Sequence, residues 1–426
     1  MASVSLKNYF VSMEDLDEDG NPVTINIDSD SVEITQSFTE AEEAAEDTEE
    51  LEEAEEGLEA IYASLEASLE HGGLDPTAAA FAHHAVHSYV NRLGMSSNDI
   101  MPSLESFGGS SRRTSATTVS METIGETLKK IWAAIKAAVE KAINAVTNFF
   151  RKLFDGMGRL EKKFNDLQIK ANELGVGEKK KADDKIKVSS PNALMYKGSV
   201  EWAKIKEGFE NLTTGATTID AYITEVESIY DSLRKNLDDV ASAPDKVNEK
   251  VTAVKALISS SGGKIKSKIH TKAMPGDKAI TYNAGAETSD KGGENHTFNV
   301  RIEKVTGSRA FNGDTASIPL PELPDIKTFI NNCILTITAV GKRKDKVDKV
   351  VKARKAVVDS KIGAIKTEEK NFASKAYDKT KVHVMMRFAQ HDYIGPINQF
   401  DAYAFGALRA GYVLASALVN GYKKPA

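Results

Sequence analysis

The residues of this 426-residue chain best suited to chemistry are a histidine cluster, a run of carboxylates and a few glycine pairs. His83, His84 and His87 stand together, and positions 83 and 87 share one face of a helix. Such a pair holds zinc when a third ligand joins it. No glutamate follows the first histidine, and no second ligand pair lies near in sequence, so partly exposed helix histidines account for all three. No metal is expected. Carboxylates crowd residues 40–70, where a solvated acidic face explains them. Gly108-Gly109 and Gly292-Gly293 lack the strand–turn–helix context that makes a phosphate loop, a dinucleotide fingerprint or a nucleophile elbow. No catalytic residue and no cofactor is nominated, and the chain is not expected to be an enzyme. The single cysteine, Cys333, excludes an intramolecular disulfide framework and a four-cysteine zinc site.

The elements that carry these residues are mostly helical. Residues 11–35 are acidic with few periodic apolar positions, which predicts extended or disordered chain. Thr39 with Glu42 fits a capping box, and a helix rich in Ala, Glu and Leu follows to Glu70. His71-Gly72-Gly73 ends it; Asp75 as N-cap and Pro76 at the first helical position start a second helix, closed by Gly94. Ser96 to Thr118 is rich in Ser, Thr and Gly and predicts an exposed linker.

Thr123 with Glu126 fits another capping box, opening a helix to about Phe154 that should stop at Asp155-Gly156. Ile124, Leu128, Ile131, Ile135, Val139, Ala142, Val146, Phe149 and Leu153 follow one another by three or four residues and form one narrow stripe. Lys129, Lys130, Lys136, Lys141, Arg151 and Lys152 fall opposite, with Trp132 and Phe150 widening or flanking the apolar face. Three readings fit: a bundle helix with lysines in water, insertion at a membrane interface, and docking on a polyanion. Further helices are predicted near 160–174, 200–240, 246–258, 325–340, 342–375 and 398–421. A Gly-rich stretch around 265–317 predicts two or three strands, including Ala279–Tyr282 and His296–Ile302. The fold class is therefore mainly α: an acidic helical segment, then an elongated helical bundle with a small β insertion.

Charge is segregated along the chain. Residues 1–105 hold 25 acidic and two basic residues, net −23; the remainder holds 37 acidic and 53 basic, net +16. A stable fold does not need that split; it marks a masking segment, an interaction tail or a polyanion-binding body. No apolar run reaches the length of a clean transmembrane helix, and Met1–Phe10 lacks a secretory signal's basic start and apolar core. A soluble protein of a reducing compartment is expected.

At the charge boundary stands Pro102-Ser103-Leu104-Glu105-Ser106-Phe107-Gly108, followed by Thr117-Thr118-Val119-Ser120-Met121-Glu122 and by Gly125-Glu126-Thr127-Leu128-Lys129-Lys130-Ile131-Trp132, leading to Asn148–Phe154. Over roughly residues 60–155 this resembles the internal head proteins of large contractile-tailed phages, capsid-and-scaffold or ejected virion proteins. The resemblance implies an acidic propeptide removed by a prohead protease that cuts after a small residue, any residue and glutamate. Ser103, Leu104, Glu105 and Ser106 fit that site. So do Ser64-Leu65-Glu66, Ser68-Leu69-Glu70 and Ser120-Met121-Glu122; Glu105 is singled out by its loop, the charge switch and the basic helix just beyond it. The implied segments are 1–105 (propeptide), 106–157 (linker and basic helix) and 158–426 (body). The implied partners are the maturation protease, capsid or scaffold proteins and packaged duplex DNA. The implied setting is the head interior, after assembly in the host cytoplasm. The alternative is a membrane-active ejection or pore protein that contacts a membrane through the 124–154 helix.

Overall fold

The computed structural model describes residues 14–16, 22–24, 29–93, 100–175, 178–180, 185–188, 191–242, 246–284, 298–309, 311–312, 315–371, 388–389 and 391–423. Gly94, Ser96–Asp99, Gly292-Gly293, His296-Thr297 and the predicted helix beyond Asn371 lie outside them. The fold is mainly α, and the described strands form three two-stranded antiparallel sheets.

Strands β1 (Glu14–Leu16) and β2 (Pro22–Thr24) pair first, and helix α1 (Ser29–Leu69) follows. α1 begins ten residues before the capping box predicted at Thr39. The reason is local: the Thr39 hydroxyl donates to the Thr35 carbonyl at 3.1 Å, and Ser37 and Thr48 likewise bond back one turn. Hydroxyls satisfied inside the helix do not cap it. α1 ends as expected at Gly72 and Gly73, with φ of +85° and +91°. Gly73 is required twice over, since a Cβ there would also lie 2.7 Å from the Arg113 backbone. Asp75 caps α2 (Pro76–Arg92), its Oδ1 accepting from the backbone N–H groups of Thr77 and Ala78 at 2.8 and 2.9 Å.

A single turn of 3₁₀ helix (Leu104–Phe107) leads into α3, a continuous helix of 64 residues, Ser110–Glu173. This corrects the linker predicted to Thr118 and the helix start at Thr123. Thr118, Ser120, Thr123 and Thr127 each donate to the carbonyl four residues back, at 2.8–2.9 Å. Ala116, Thr117 and Ser120 are buried there, so packing overrides a turn-like composition. Nor does α3 stop at Asp155-Gly156. Gly156 is a packing glycine, where a Cβ would meet Ile34 Cδ1 at 2.7 Å and the Phe405 ring at 3.2 Å.

The rest of the chain is built around α5 (Trp202–Ser242), which packs along α6 (Val247–Lys268), α7 (Leu323–Gly341) and α8 (Lys344–Asn371). The short α4 (Pro191–Leu194) and β3 (Lys185–Val188) precede it. β4 (Lys278–Ala284) and β5 (Phe298–Lys304) form the predicted hairpin in register Ile280↔Ile302 and Tyr282↔Val300. The third strand, β6 (Ala316–Pro319), leaves that insertion to pair with β3. α6 runs ten residues past its predicted end; within that extension Gly262 packs close to Tyr282 and Phe298, where a Cβ would lie 2.8–3.0 Å away.

α9 (Gly395–Asn420) is long and apolar enough to cross a membrane, the one such helix among the described residues, which corrects the expectation that no run reaches that length. Two thirds of its apolar window is buried inside the fold, and Asp401 within it is fully buried. It is a core helix.

The chain divides into two compact units, residues 40–145 and residues 1–39 with 146–426. The segments 1–105, 106–157 and 158–426 read from charge are a different division.

Candidate processing turn and basic helix

Glu105 sits in the 3₁₀ turn. The Ser103 carbonyl accepts from the Ser106 N–H at 2.9 Å, and the Glu105 carbonyl accepts from Gly108 N–H at 3.1 Å. Ser103, Leu104 and Glu105 are exposed. Phe107 is fully buried, and its carbonyl accepts from Arg113 Nε at 3.1 Å. An endoprotease takes its substrate as an extended strand, so this turn must open first. Opening it breaks the backbone hydrogen bonds of this one turn, each worth about 1 kcal/mol net.

The rival triplets are held harder. Leu65 in Ser64-Leu65-Glu66 is fully buried within α1, and Ser120 in Ser120-Met121-Glu122 is fully buried within α3. Ser68-Leu69-Glu70 closes α1, with the Ser68 carbonyl accepting from both His71 and Gly73. Among these four of the chain's small-x-Glu triplets, the structure thus sets Glu105 apart by the backbone structure each would have to lose.

On α3 every residue of the predicted stripe from Ile124 to Leu153 is buried. The cations lie on the other side. At about 100° per residue, Lys129, Lys130, Lys136, Lys141, Arg151 and Lys152 fall within an arc of about 160°; the first five are exposed and Lys152 half-buried. They follow the length of one helix rather than converging on a cavity.

Within residues 40–145 the cover of the stripe is the acidic arm, running antiparallel to α3. Lys141 Nζ pairs with Asp47 at 2.9 Å, a Cβ on Gly125 would lie 3.8 Å from the Tyr62 ring, and the Thr114 hydroxyl donates to the Gly72 carbonyl at 3.2 Å. At the turn the Leu74 N–H donates to Thr117 Oγ1 at 3.0 Å. In the other unit Phe38 meets Phe149 edge to face at 5.5 Å, near the contact of Ile34 with Gly156.

The electrostatics follow this pairing. The hydrogen bond to Asp47, then the charge of Asp47 and of Glu43, holds the Lys141 ammonium above the usual lysine range. Burial raises the Tyr62 phenol, with Glu66 adding to the shift and Lys129 opposing it. Lys129 also pairs with Glu126 at 3.0 Å. These ion pairs are more than half exposed, so solvent screening leaves them little weight in stability. Apolar burial on α1, α2 and α3, more than these ion pairs, holds the unit together.

His83, His84 and His87 lie along α2, with His87 facing the Asn91 amide at 2.9 Å. Among the described residues no group of three His, Cys, Asp or Glu side chains could hold a metal ion. Cys333 is fully buried, which pushes its thiol well above the usual range.

Sequence reasoning missed the most deeply buried charges. Arg343, between α7 and α8, is fully buried against Asp401 of α9, and its Nη2 donates to the Ala216 carbonyl at 2.8 Å. An aspartate in the second turn of the apolar helix α9 was the available signal, because a buried carboxylate needs a cationic partner.

Fold and site together define a mainly helical protein in which an acidic helical arm covers a basic helix, with an exposed turn between the two. Over residues 26–400 the chain matches the phiKZ-like phage internal head proteins, and it belongs to that family. The match takes in most of the acidic arm and nearly all of the body, well beyond the residues 60–155 that carry the resemblance in sequence. It places the protein in the interior of the virion head. No curated protein matches the chain, and no solved structure does.

Proposed function

We propose that this internal head protein is made with a removable acidic propeptide, residues 1–105, cut after Glu105 by a maturation protease acting in trans. Ser103, Leu104, Glu105 and Ser106 form the cleavage site. The propeptide offsets the charge of the body and covers its basic helix during assembly. Once it is gone, a net-positive body lies beside packaged duplex DNA, its contacts sequence-independent because they are made to phosphate. Capsid or scaffold proteins would surround it during assembly. One observation supports this reading above the rest: the acidic arm lies along the helix that carries the cations, with Asp47 pairing with Lys141, and the connection between them is the exposed turn at Glu105.

The test is mass spectrometry of the protein taken from mature particles. The expected N-terminus is Ser106, and Glu105→Ala should leave residues 1–105 attached. A mature chain that starts at Met1, or one cut only near Glu70, overturns the proposal.

A further inference from the structure

The surface that matters here is the buried face of α3. A cut after Glu105 breaks one peptide bond in an exposed turn and removes none of the contacts between the acidic arm and α3. Those contacts are spread over the whole length of the arm: Phe38 on Phe149, Asp47 with Lys141, Tyr62 beside Gly125, and Leu74 on Thr117. On the arm, Phe38, Leu58, Leu65 and Leu74 are 0–6% exposed; on α3, Ile124, Ile131 and Phe149 are 0–1% exposed. Separating the two would put both apolar faces into water, a cost that scales with the area exposed. Loss of the covalent link returns only the freedom of two chains held by an extensive interface. The turn itself stays with the body, since Phe107 is buried on the C-terminal side of the bond and its carbonyl is held by Arg113.

We infer that the detached acidic segment remains the noncovalent partner of α3, so that cutting after Glu105 does not by itself uncover the apolar face of that helix. Uncovering needs further cuts inside the acidic helices α1 and α2. This deepens the propeptide reading and rests on it for its place in maturation. The order of events follows from accessibility: the turn is cut first, while Ser64-Leu65-Glu66 is protected by helix and burial until the arm is destabilised.

The experiment replaces residues 103–106 of the full chain with the recognition sequence of a site-specific protease. Equal melting temperatures for this chain and the natural one, both uncut, show that the insertion is harmless. After cutting, size-exclusion chromatography should return both fragments in one species. They should stay together at about 1 M salt, where screening shortens the Debye length to about 3 Å and leaves apolar contacts in place. Leu58→Asp in the same chain should release the segment after cutting. Separation of the natural-seam fragments in low-salt buffer overturns the inference. An N-terminus other than Ser106 in mature particles would instead defeat the propeptide reading, leaving the outcome of the engineered cut intact.

Discussion

Arg343 shows what one residue contributes to this fold. Its guanidinium is fully buried, contacts Asp401 Oδ1, donates to the Ala216 carbonyl and lies 5.6 Å from the Phe400 ring centre. Its Nε also stands 3.0 Å from Asp220 Oδ1, without the alignment of a hydrogen bond. Removing one partner of a buried pair strands the other, at a cost of about 3–5 kcal/mol. Arg343→Met should lower the unfolding free energy by that much in urea titrations; a change under about 1 kcal/mol would mean that Asp401 does without a cationic partner, by holding its proton or taking up water. The same site carries a pH dependence. Burial pushes the Asp401 carboxyl up to about 6, with Arg343 opposing the shift and Asp220 adding to it. A carboxyl that holds its proton more tightly folded than unfolded stabilises the fold fully below the unfolded value, near pH 4, and that contribution is lost as pH rises through about 6. Asp401→Asn should therefore remove a loss of up to about 3 kcal/mol between about pH 4 and about pH 6. Identical pH slopes for the two proteins in that window would exclude Asp401 as their source.

At the scale of elements, α3 decides how the basic helix is used. Ile135 is 6% exposed in its stripe, so Ile135→Asp places a charge in a core and should cost about 3 kcal/mol or more. Lys136 beside it is exposed, and Lys136→Glu should leave the melting temperature in place while weakening polyanion binding. An unchanged melting temperature for Ile135→Asp in the full chain would return the helix to a surface role. The stripe was legible in sequence because apolar residues spaced by three and four leave one solution for a helix face. The ends of the helices were not. Thr39 and Thr123 sit in capping-box sequences but bond back to Thr35 and Val119, a choice made by neighbours that no local pattern records. Gly156 looked like punctuation and proved to be a contact point, because a missing Cβ serves close packing as well as turns. The exposed turn at Glu105 was legible from its composition and charge boundary; the burial of Phe107 that anchors it was not. Arg343 went unread because a basic residue at the head of a Lys-rich helix looks solvated until α9 is placed beside it.

For the whole molecule, the sum of charges matters less than their distribution. The chain carries −7, but that figure combines −23 over residues 1–105 with +16 over the rest. An arm that binds the body through an apolar seam and presents carboxylates toward its lysines acts as an intramolecular polyanion. It therefore opposes any other polyanion through its charge, held at high effective concentration on the same chain, rather than by covering Lys129, Lys130, Lys136, Lys141 and Arg151, which are exposed. Residues 106–426 should bind duplex DNA without sequence preference, and the full chain should not. If Lys129, Lys130, Lys136, Lys141, Arg151 and Lys152 make the contacts, the logarithm of affinity should fall with the logarithm of salt with a slope of about −5. Lys130→Glu or Lys136→Glu should each reduce that slope by about one, uniformly across sequences. The decisive addition is the acidic segment itself. Supplied in trans to a preformed complex of residues 106–426 with DNA, it should displace the DNA, and the displacement should persist at moderate salt because the seam is apolar. Equal DNA binding by the full chain and by residues 106–426, or no displacement by excess segment, would show that the arm covers the helix for stability alone.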